Sequence, residues 1–132
     1  MAANGNTTER ALEGAWAPIA ASVADKSLAV AELRVRYLLL NAGGYRIVDT
    51  SNRVVDSGHY QIDAKRSPPT MDIVGDRGPH AGRTMLAIYE LRGDQLTVCY
   101  DLERAERPAN LDPRRDQPKL RITYTRAPIA SS

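Results

Sequence analysis

Few side chains in this sequence could carry out metal or redox chemistry. The histidines are His59 and His80, and the only cysteine is Cys99. Histidine ligands of metals are commonly spaced as H-x-H or H-x-x-x-H, and the sequence contains neither spacing. A single cysteine can form neither an intramolecular disulfide nor a thiolate cluster. We therefore predict no metal site and no cofactor, and we expect the histidines to be surface or hydrogen-bonded groups.

Nucleophilic or acid–base catalysis would need partners that the sequence does not supply. Cys99 could act as a nucleophile only beside a histidine, and a lone cysteine in a strand is more often a small buried apolar side chain. The candidate acid–base residues are Asp63, Asp72, Asp94 and Asp101. They end or flank predicted strands, where aspartate usually forms turns. We identify no catalytic residue, and an enzyme is the least favoured of three functional classes.

The positive charges do not form a clear anion-binding site. Lysine and arginine contribute 18 charges against 16 acidic ones, and the net charge of +2 does not predict a nucleic-acid partner. Over residues 103–118 basic and acidic side chains interleave, which favours a solvated loop. Arg34 and Arg36 would make an anion-seeking cavity if they pointed into a barrel. Facing water is favoured, because the apolar residues that alternate with them form the natural inward set.

The elements that must position these side chains are strands. Residues 84–100 alternate with a period of two on either side of a turn at Arg92-Gly93-Asp94, which predicts a hairpin. Residues 24–32 favour a short helical connector because they are rich in Ala, Leu and Glu. Pro18 places its strand at an edge or a bend, and Gly58 predicts a bulge or a sharp bend within its strand. The further predicted strands are 16–23, 33–40, 45–49, 54–63, 70–74 and 119–126.

About eight short strands with at most one or two short helices predict an all-β fold, either an antiparallel sandwich or an up-and-down barrel. A chain of 132 residues suffices for one domain with its own core. We expect a disordered lead-in at 1–10, the domain at 11–127 and a tail at 128–132. No signal peptide is visible, so a cytoplasmic protein is the default, and an exported one follows if a signal has been removed. No apolar run reaches the roughly 18 residues of a membrane span.

Four groups of residues, in this order, resemble one protein family. They are 12–16 (LEGAW), 58–63 with 68–72, 88–96 with 99–100, and Arg107-Pro108 with a final strand ending in Arg126. Together they are similar to the uncharacterised lipocalin-like domain family first catalogued in planctomycete proteins. Two features depart from the family pattern: Leu111 replaces an aromatic residue, and the Asp-Gly turn after the first strand is missing.

The resemblance implies a small antiparallel barrel of calycin type, which favours the barrel over the sandwich, and it implies no established reaction. It also implies a structural closure of one barrel end. Gly14 would let the chain pass close beneath the ring of Trp16, and the guanidinium of Arg126 would stack on the indole.

The favoured function is a non-enzymatic binding module that holds a small, partly apolar molecule in the barrel. The alternative is a protein-interaction module with a filled barrel, which would use the 103–118 loop or a sheet edge. The partner would be a small ligand in the first case and a protein in the second, and the oligomeric state stays open. The predicted barrel lining is Tyr37, Tyr60, Met71, Tyr89 and Tyr100.

Overall fold

The computed structural model describes residues 10–79, 81–101, 107–111 and 119–127. Residues 10–12 are helical, and Val30–Leu33 form a 3-10 turn. Within these ranges no helix is long and apolar enough to cross a membrane. The strands are β1 (Gly14–Val23), β2 (Lys26–Leu28), β3 (Val35–Asn41), β4 (Gly44–Asp49), β5 (Val54–Asp63), β6 (Thr70–Arg77), β7 (Thr84–Arg92), β8 (Gln95–Asp101) and β9 (Lys119–Arg126).

The strands close into a barrel. From β3 to β9 each strand pairs antiparallel with the next, and β1 pairs with β3 on one side and with β9 on the other. Trp16 lies opposite Leu38 of β3 and opposite Arg126 of β9. The prediction of an all-β antiparallel barrel of eight strands is therefore confirmed. The short β2 is an addition that pairs with the last three residues of β1.

The alternation seen in the sequence places the core inside this barrel. In β8, for example, Leu96 and Val98 are buried in the interior cluster, whereas Gln95 is exposed. The buried members of the cluster are Leu12, Trp16, Ala21, Leu40, Tyr45, Tyr60, Met71, Ala87, Tyr89, Leu96, Val98, Leu120, Ile122 and Tyr124.

A proline and a glycine mark irregular points in two strands. Pairing of β1 with β3 ends at Trp16 and pairing with β2 begins at Ala21, so Pro18 lies where that edge of β1 has no partner. The register against β9 also shifts just after Pro18, which makes a bulge where a missing N–H does no harm. In β5 the register against β6 shifts between Ser57 and Gly58, at the glycine that predicted it.

The helical connector predicted over 24–32 is wrong. Ala24 takes a positive φ of 55° and turns the chain, so that β2 pairs with β1 and only a 3-10 turn follows. Pairing with an available strand edge outweighs a weak helix propensity. Arg34 then takes a φ of 55° and ends the turn, which is why β3 begins at Val35 and not at Leu33.

A second, smaller buried region lies on the outer face of the barrel. Ile88 and Cys99 are 1% and 0% exposed, although their neighbours in sequence face the interior. Arg107 reaches across β6 and β7, where its guanidinium donates to the carbonyl oxygen of Ala87 at 2.9 Å and to Asp72 at 2.7 Å. Most of the 103–118 loop, and the predicted lead-in and tail apart from Arg10, lie outside the described residues.

Candidate ligand-binding cavity

The barrel is hollow. A cavity of about 300 Å³ lies inside it and is lined mainly by apolar side chains. The aliphatic and other apolar members are Leu33, Val35, Leu38, Leu40, Ile47, Val55, Met71, Ile73, Pro79, Met85, Val98, Leu120 and Ile122. The members with polar atoms in their side chains are Tyr45, Asp56, Tyr60, Tyr100 and Tyr124.

The cavity opens at one end of the barrel. In an up-and-down barrel successive connections alternate between the two ends, so the 3-10 turn, the β4–β5 turn and the β6–β7 loop share one end. Lining residues at that end are partly or largely exposed: Val55 is 43% exposed, Pro79 is exposed, and Leu33 is half-buried. Deeper in the barrel, Tyr60 and Met71 are 5% and 3% exposed. The cavity therefore opens beside Val55.

The cavity contains some of the residues predicted to line it and not others. Tyr60, Met71 and Tyr100 belong to its lining. Tyr37 and Tyr89 lie outside the cavity lining.

A bulge explains the position of Tyr37. The register of β3 against β4 shifts between Val35 and Tyr37, which moves Leu38 and Leu40 to the inner face. The guanidinium carbon of Arg36 lies 5.3 Å from the centroid of the Tyr37 ring. Tyr37 thus takes the outer side of the strand.

Tyr89 is buried but lies below the cavity, near the other end of the barrel. Its backbone N–H donates to the carbonyl oxygen of Pro69 in the β5–β6 loop at 3.0 Å. Burial, with a smaller effect of Asp63, raises the pKa of its hydroxyl above the ordinary value. The side chain belongs to the packed interior cluster and fills the barrel there.

Three lining residues with polar atoms were missed: Tyr45, Asp56 and Tyr124. The alternation of inward and outward residues along a strand could have found them. Tyr45 lies two residues from Ile47, and Asp56 lies four residues before Tyr60 on the same strand. A charged residue at an inward-facing position interrupts the apolar pattern, so Asp56 was not recognised as part of the lining.

Asp56 and Tyr45 form a buried polar pair in the cavity wall. The Tyr45 hydroxyl donates to Oδ1 of Asp56 at 3.0 Å, and Asp56 is 6% exposed. Gly58 makes room for this arrangement, because a Cβ at that position would lie 2.8 Å from the Tyr45 ring and closer still to the carbonyl oxygen of Val74. The glycine thus lets the tyrosine lie flat against β5.

Burial raises the pKa of three tyrosine hydroxyls in the cavity wall. Burial first, and then the hydrogen bond to Asp56, raises the pKa of Tyr45 well above its ordinary value. Burial, followed by the charge of Asp56, raises the pKa of Tyr100 to about 12. Burial likewise raises the pKa of Tyr124. At neutral pH these hydroxyls are therefore neutral groups that can donate hydrogen bonds inside the cavity.

Trp16 fills the opposite end of the barrel. Its side chain is fully buried, and its indole Nε1 donates to the carbonyl oxygen of Leu12 at 2.8 Å. The guanidinium carbon of Arg126 lies 4.3 Å from the centroid of the indole ring. This stacking joins the first strand of the barrel to the last.

Arg126 also binds the chain that leads into β1. Its two terminal nitrogens donate to the carbonyl oxygens of Ala11 and Glu13, each at 2.8 Å. Gly14 has a φ of 129°, and a Cβ there would lie 3.0 Å from the guanidinium. A larger residue would therefore push the arginine away from these carbonyls.

The remaining chemical groups do not converge. His59 Nδ1 lies 3.5 Å from Asp76, but both side chains are more than half exposed. Cys99 lies on β8, three strands away from His59, a separation of about 14 Å at the usual strand spacing. His80 lies outside the described residues. Among those described, no three acidic, histidine or cysteine residues form a group suited to a metal.

None of the protein families, curated proteins and solved structures compared with the chain matches it. The resemblance to the planctomycete domain family therefore stays a prediction.

Proposed function

We propose that this protein is a non-enzymatic binding module that holds a small, largely apolar molecule inside its barrel. The observation that carries the proposal is the cavity of about 300 Å³, with its mainly aliphatic lining and its opening at one end. Pockets for small molecules begin at about this volume, and they combine an apolar lining with a few polar groups that orient the ligand. Eight strands is also the barrel size that leaves room for one small ligand.

The volume limits the ligand. An engineered protein cavity of about 150 Å³ holds benzene, so twice that volume would hold roughly twelve non-hydrogen atoms. At about −0.5 kcal/mol per atom, within the range found for small ligands, the binding free energy is about −6 kcal/mol. That corresponds to a Kd of tens of micromolar.

A titration with n-octanol, followed by NMR of the labelled protein, tests the proposal. We expect saturable shift changes at lining residues. Val98→Trp places bulk in the cavity and should weaken binding at least about tenfold, whereas Leu39→Trp, on the outer side of β3, should not. Ile73→Phe serves if Val98→Trp fails to fold. Absence of binding to the wild-type protein, or equal binding by a folded cavity-filling variant, would contradict the proposal.

A protein-interaction module is the second candidate. It is favoured by Val54 and Val55, which are 52% and 43% exposed beside the opening. The hollow interior supports ligand binding over the filled barrel that this alternative assumes. Native mass spectrometry of protein purified from its own host separates the two. A small molecule retained in the native spectrum supports the first candidate, and a stoichiometric second protein supports the alternative.

A further inference from the structure

Two tyrosine hydroxyls in the cavity wall form no hydrogen bond within the described part of the chain. They belong to Tyr100 of β8 and Tyr124 of β9, and both side chains line the cavity. Tyr45 differs from them, because its hydroxyl donates to Asp56 at 3.0 Å. A buried tyrosine hydroxyl usually has a partner, since a polar group taken out of water without one is destabilising. The two hydroxyls are therefore available to a molecule inside the cavity.

The pairing of β8 with β9 places both tyrosines on one wall of the cavity. Val98 and Ile122 lie opposite each other in this pair of strands, and they also line the cavity. Tyr100 follows Val98 by two residues toward the opening, and Tyr124 follows Ile122 by two residues toward the closed end. A molecule that lies against Val98 and Ile122 therefore has one tyrosine on either side of it.

The two hydroxyls need an acceptor more than they need a donor. A tyrosine hydroxyl has an ordinary pKa of about 10 and so carries its proton at neutral pH. Burial raises the pKa of Tyr100 to about 12, and burial, with a smaller effect of Tyr100, raises the pKa of Tyr124. In folded proteins a buried donor without an acceptor is rarer than an acceptor with an unused lone pair. The group that completes this wall should therefore accept hydrogen bonds.

We propose, on the basis of the proposed binding function, that the ligand carries a carbonyl group, as in a ketone, an aldehyde or an ester, whose oxygen accepts hydrogen bonds from Tyr100 and Tyr124 while the apolar body fills the aliphatic part of the cavity. A carbonyl oxygen has two lone pairs and no proton, so it can accept from both hydroxyls. A carboxylate fits less well, because two neutral hydroxyls cannot replace the water that a charged group loses on burial. A hydrocarbon would leave both hydroxyl protons without an acceptor.

Two probes of the same shape test this inference: methyl hexyl ketone, and the alkene in which a methylene group replaces the carbonyl oxygen. Water solvates the ketone better than the alkene, so the informative quantity is the change in each Kd on mutation. Tyr100→Phe and Tyr124→Phe should each weaken ketone binding about threefold, and the double variant about tenfold. Binding of the alkene should change less than about twofold in all three variants. Tyr89→Phe is the matched control, since this buried hydroxyl lies outside the lining; it should leave both affinities unchanged.

The infrared absorption of the bound ketone gives a second readout that does not depend on affinity. A carbonyl that accepts a hydrogen bond absorbs at a lower frequency than a free one. With an isotope label on the carbonyl carbon, the ketone bound to the wild-type protein should absorb at a lower frequency than the ketone bound to the double variant. The same frequency in both proteins would overturn the inference.

The outcomes separate the inference from the proposed function. If neither probe binds the wild-type protein, the proposed function fails and the inference fails with it. If both probes bind and the double variant weakens them equally, or weakens neither, the function stands and the inference is overturned. A loss of n-octanol binding without a loss of ketone binding would show that the hydroxyls accept, and it also overturns the inference. If the double variant does not fold, the single variants decide, and the absence of a ketone-specific loss in both overturns it.

Discussion

Replacing Arg126 by methionine should destabilise the barrel strongly, because one guanidinium holds several segments together. It stacks on Trp16 at 4.3 Å and donates to the carbonyl oxygens of Ala11 and Glu13 at 2.8 Å. It also lies 3.4 Å from Asp94, which is 82% exposed. Methionine keeps most of the aliphatic stem and removes all of these polar contacts.

The magnitude follows from the separate contacts. Each hydrogen bond from a charged donor contributes about 1.5–3 kcal/mol, and stacking on an indole contributes about 0.5–2 kcal/mol. The exposed pair with Asp94 adds at most about 1 kcal/mol. Because the arginine side chain is 34% exposed, the lower ends apply, and together they give about 3.5 kcal/mol. A loss of this size should lower the Tm by about 10–15 °C.

Urea denaturation measures this loss, with the fluorescence of Trp16, the only tryptophan, and circular dichroism as independent probes. Arg126→Lys keeps the charge, but the lysine ammonium cannot stack as a plane or reach both carbonyls. This variant should therefore lose about half as much unfolding free energy. Arg92→Met is the control, since that side chain is 80% exposed and pairs with the exposed Glu90; its effect should stay within about 0.5 kcal/mol. A loss below about 1 kcal/mol for Arg126→Met, or equal losses for the methionine and lysine variants, would refute the reasoning.

Three further predictions concern single residues. Gly58→Ala should cost more than about 3 kcal/mol in urea unfolding, because its Cβ would collide with the carbonyl oxygen of Val74; Gly82→Ala, with open space around it, should cost only about 1 kcal/mol for its positive φ. Cys99 is fully buried, so a thiol reagent should label it only at the rate of unfolding, and fast labelling of the native protein would contradict its burial. The pKa of Tyr100 is raised from 10.0 to about 12 in the folded state, so its contribution to stability is fully present below pH 10 and is lost as the pH rises through about 12. Unfolding free energies measured at alkaline pH should fall in that window, and Tyr100→Phe should reduce the fall; an equal fall in both proteins would contradict the assignment.

The sequence predicted the fold well because strand alternation repeats over long segments. The bounds of β5 and β9 match the predicted 54–63 and 119–126 to the residue. The short β2 was missed, since three residues carry no usable period and its pairing partner is set by the closing of the barrel. Strand boundaries also differed from the predicted ones where a local backbone conformation sets them, as at Arg34. Such local left-handed positions in residues other than glycine have little sequence signal.

The cavity was harder to predict than the barrel. In β3 the run Leu38-Leu39-Leu40 is apolar on both faces, so the sequence does not show that the bulge at Arg36 turns Tyr37 outward. The volume left inside a barrel depends on how all the inward side chains meet, and no single strand determines it. Asp56 shows the same limit, because the tyrosine that donates a hydrogen bond to it comes from another strand.

A cavity inside the barrel lowers the free energy of unfolding, which supports the proposal that the cavity binds a ligand. Empty interior volume costs about 24 cal/mol per Å³, so a cavity of about 300 Å³ costs up to about 7 kcal/mol. Water entering through the opening reduces that figure, yet it remains comparable with the total stability of a domain, about 5–15 kcal/mol. Larger side chains at positions such as Val98 would remove the cost. A ligand at a hundred times its Kd would add about 2.7 kcal/mol of stability.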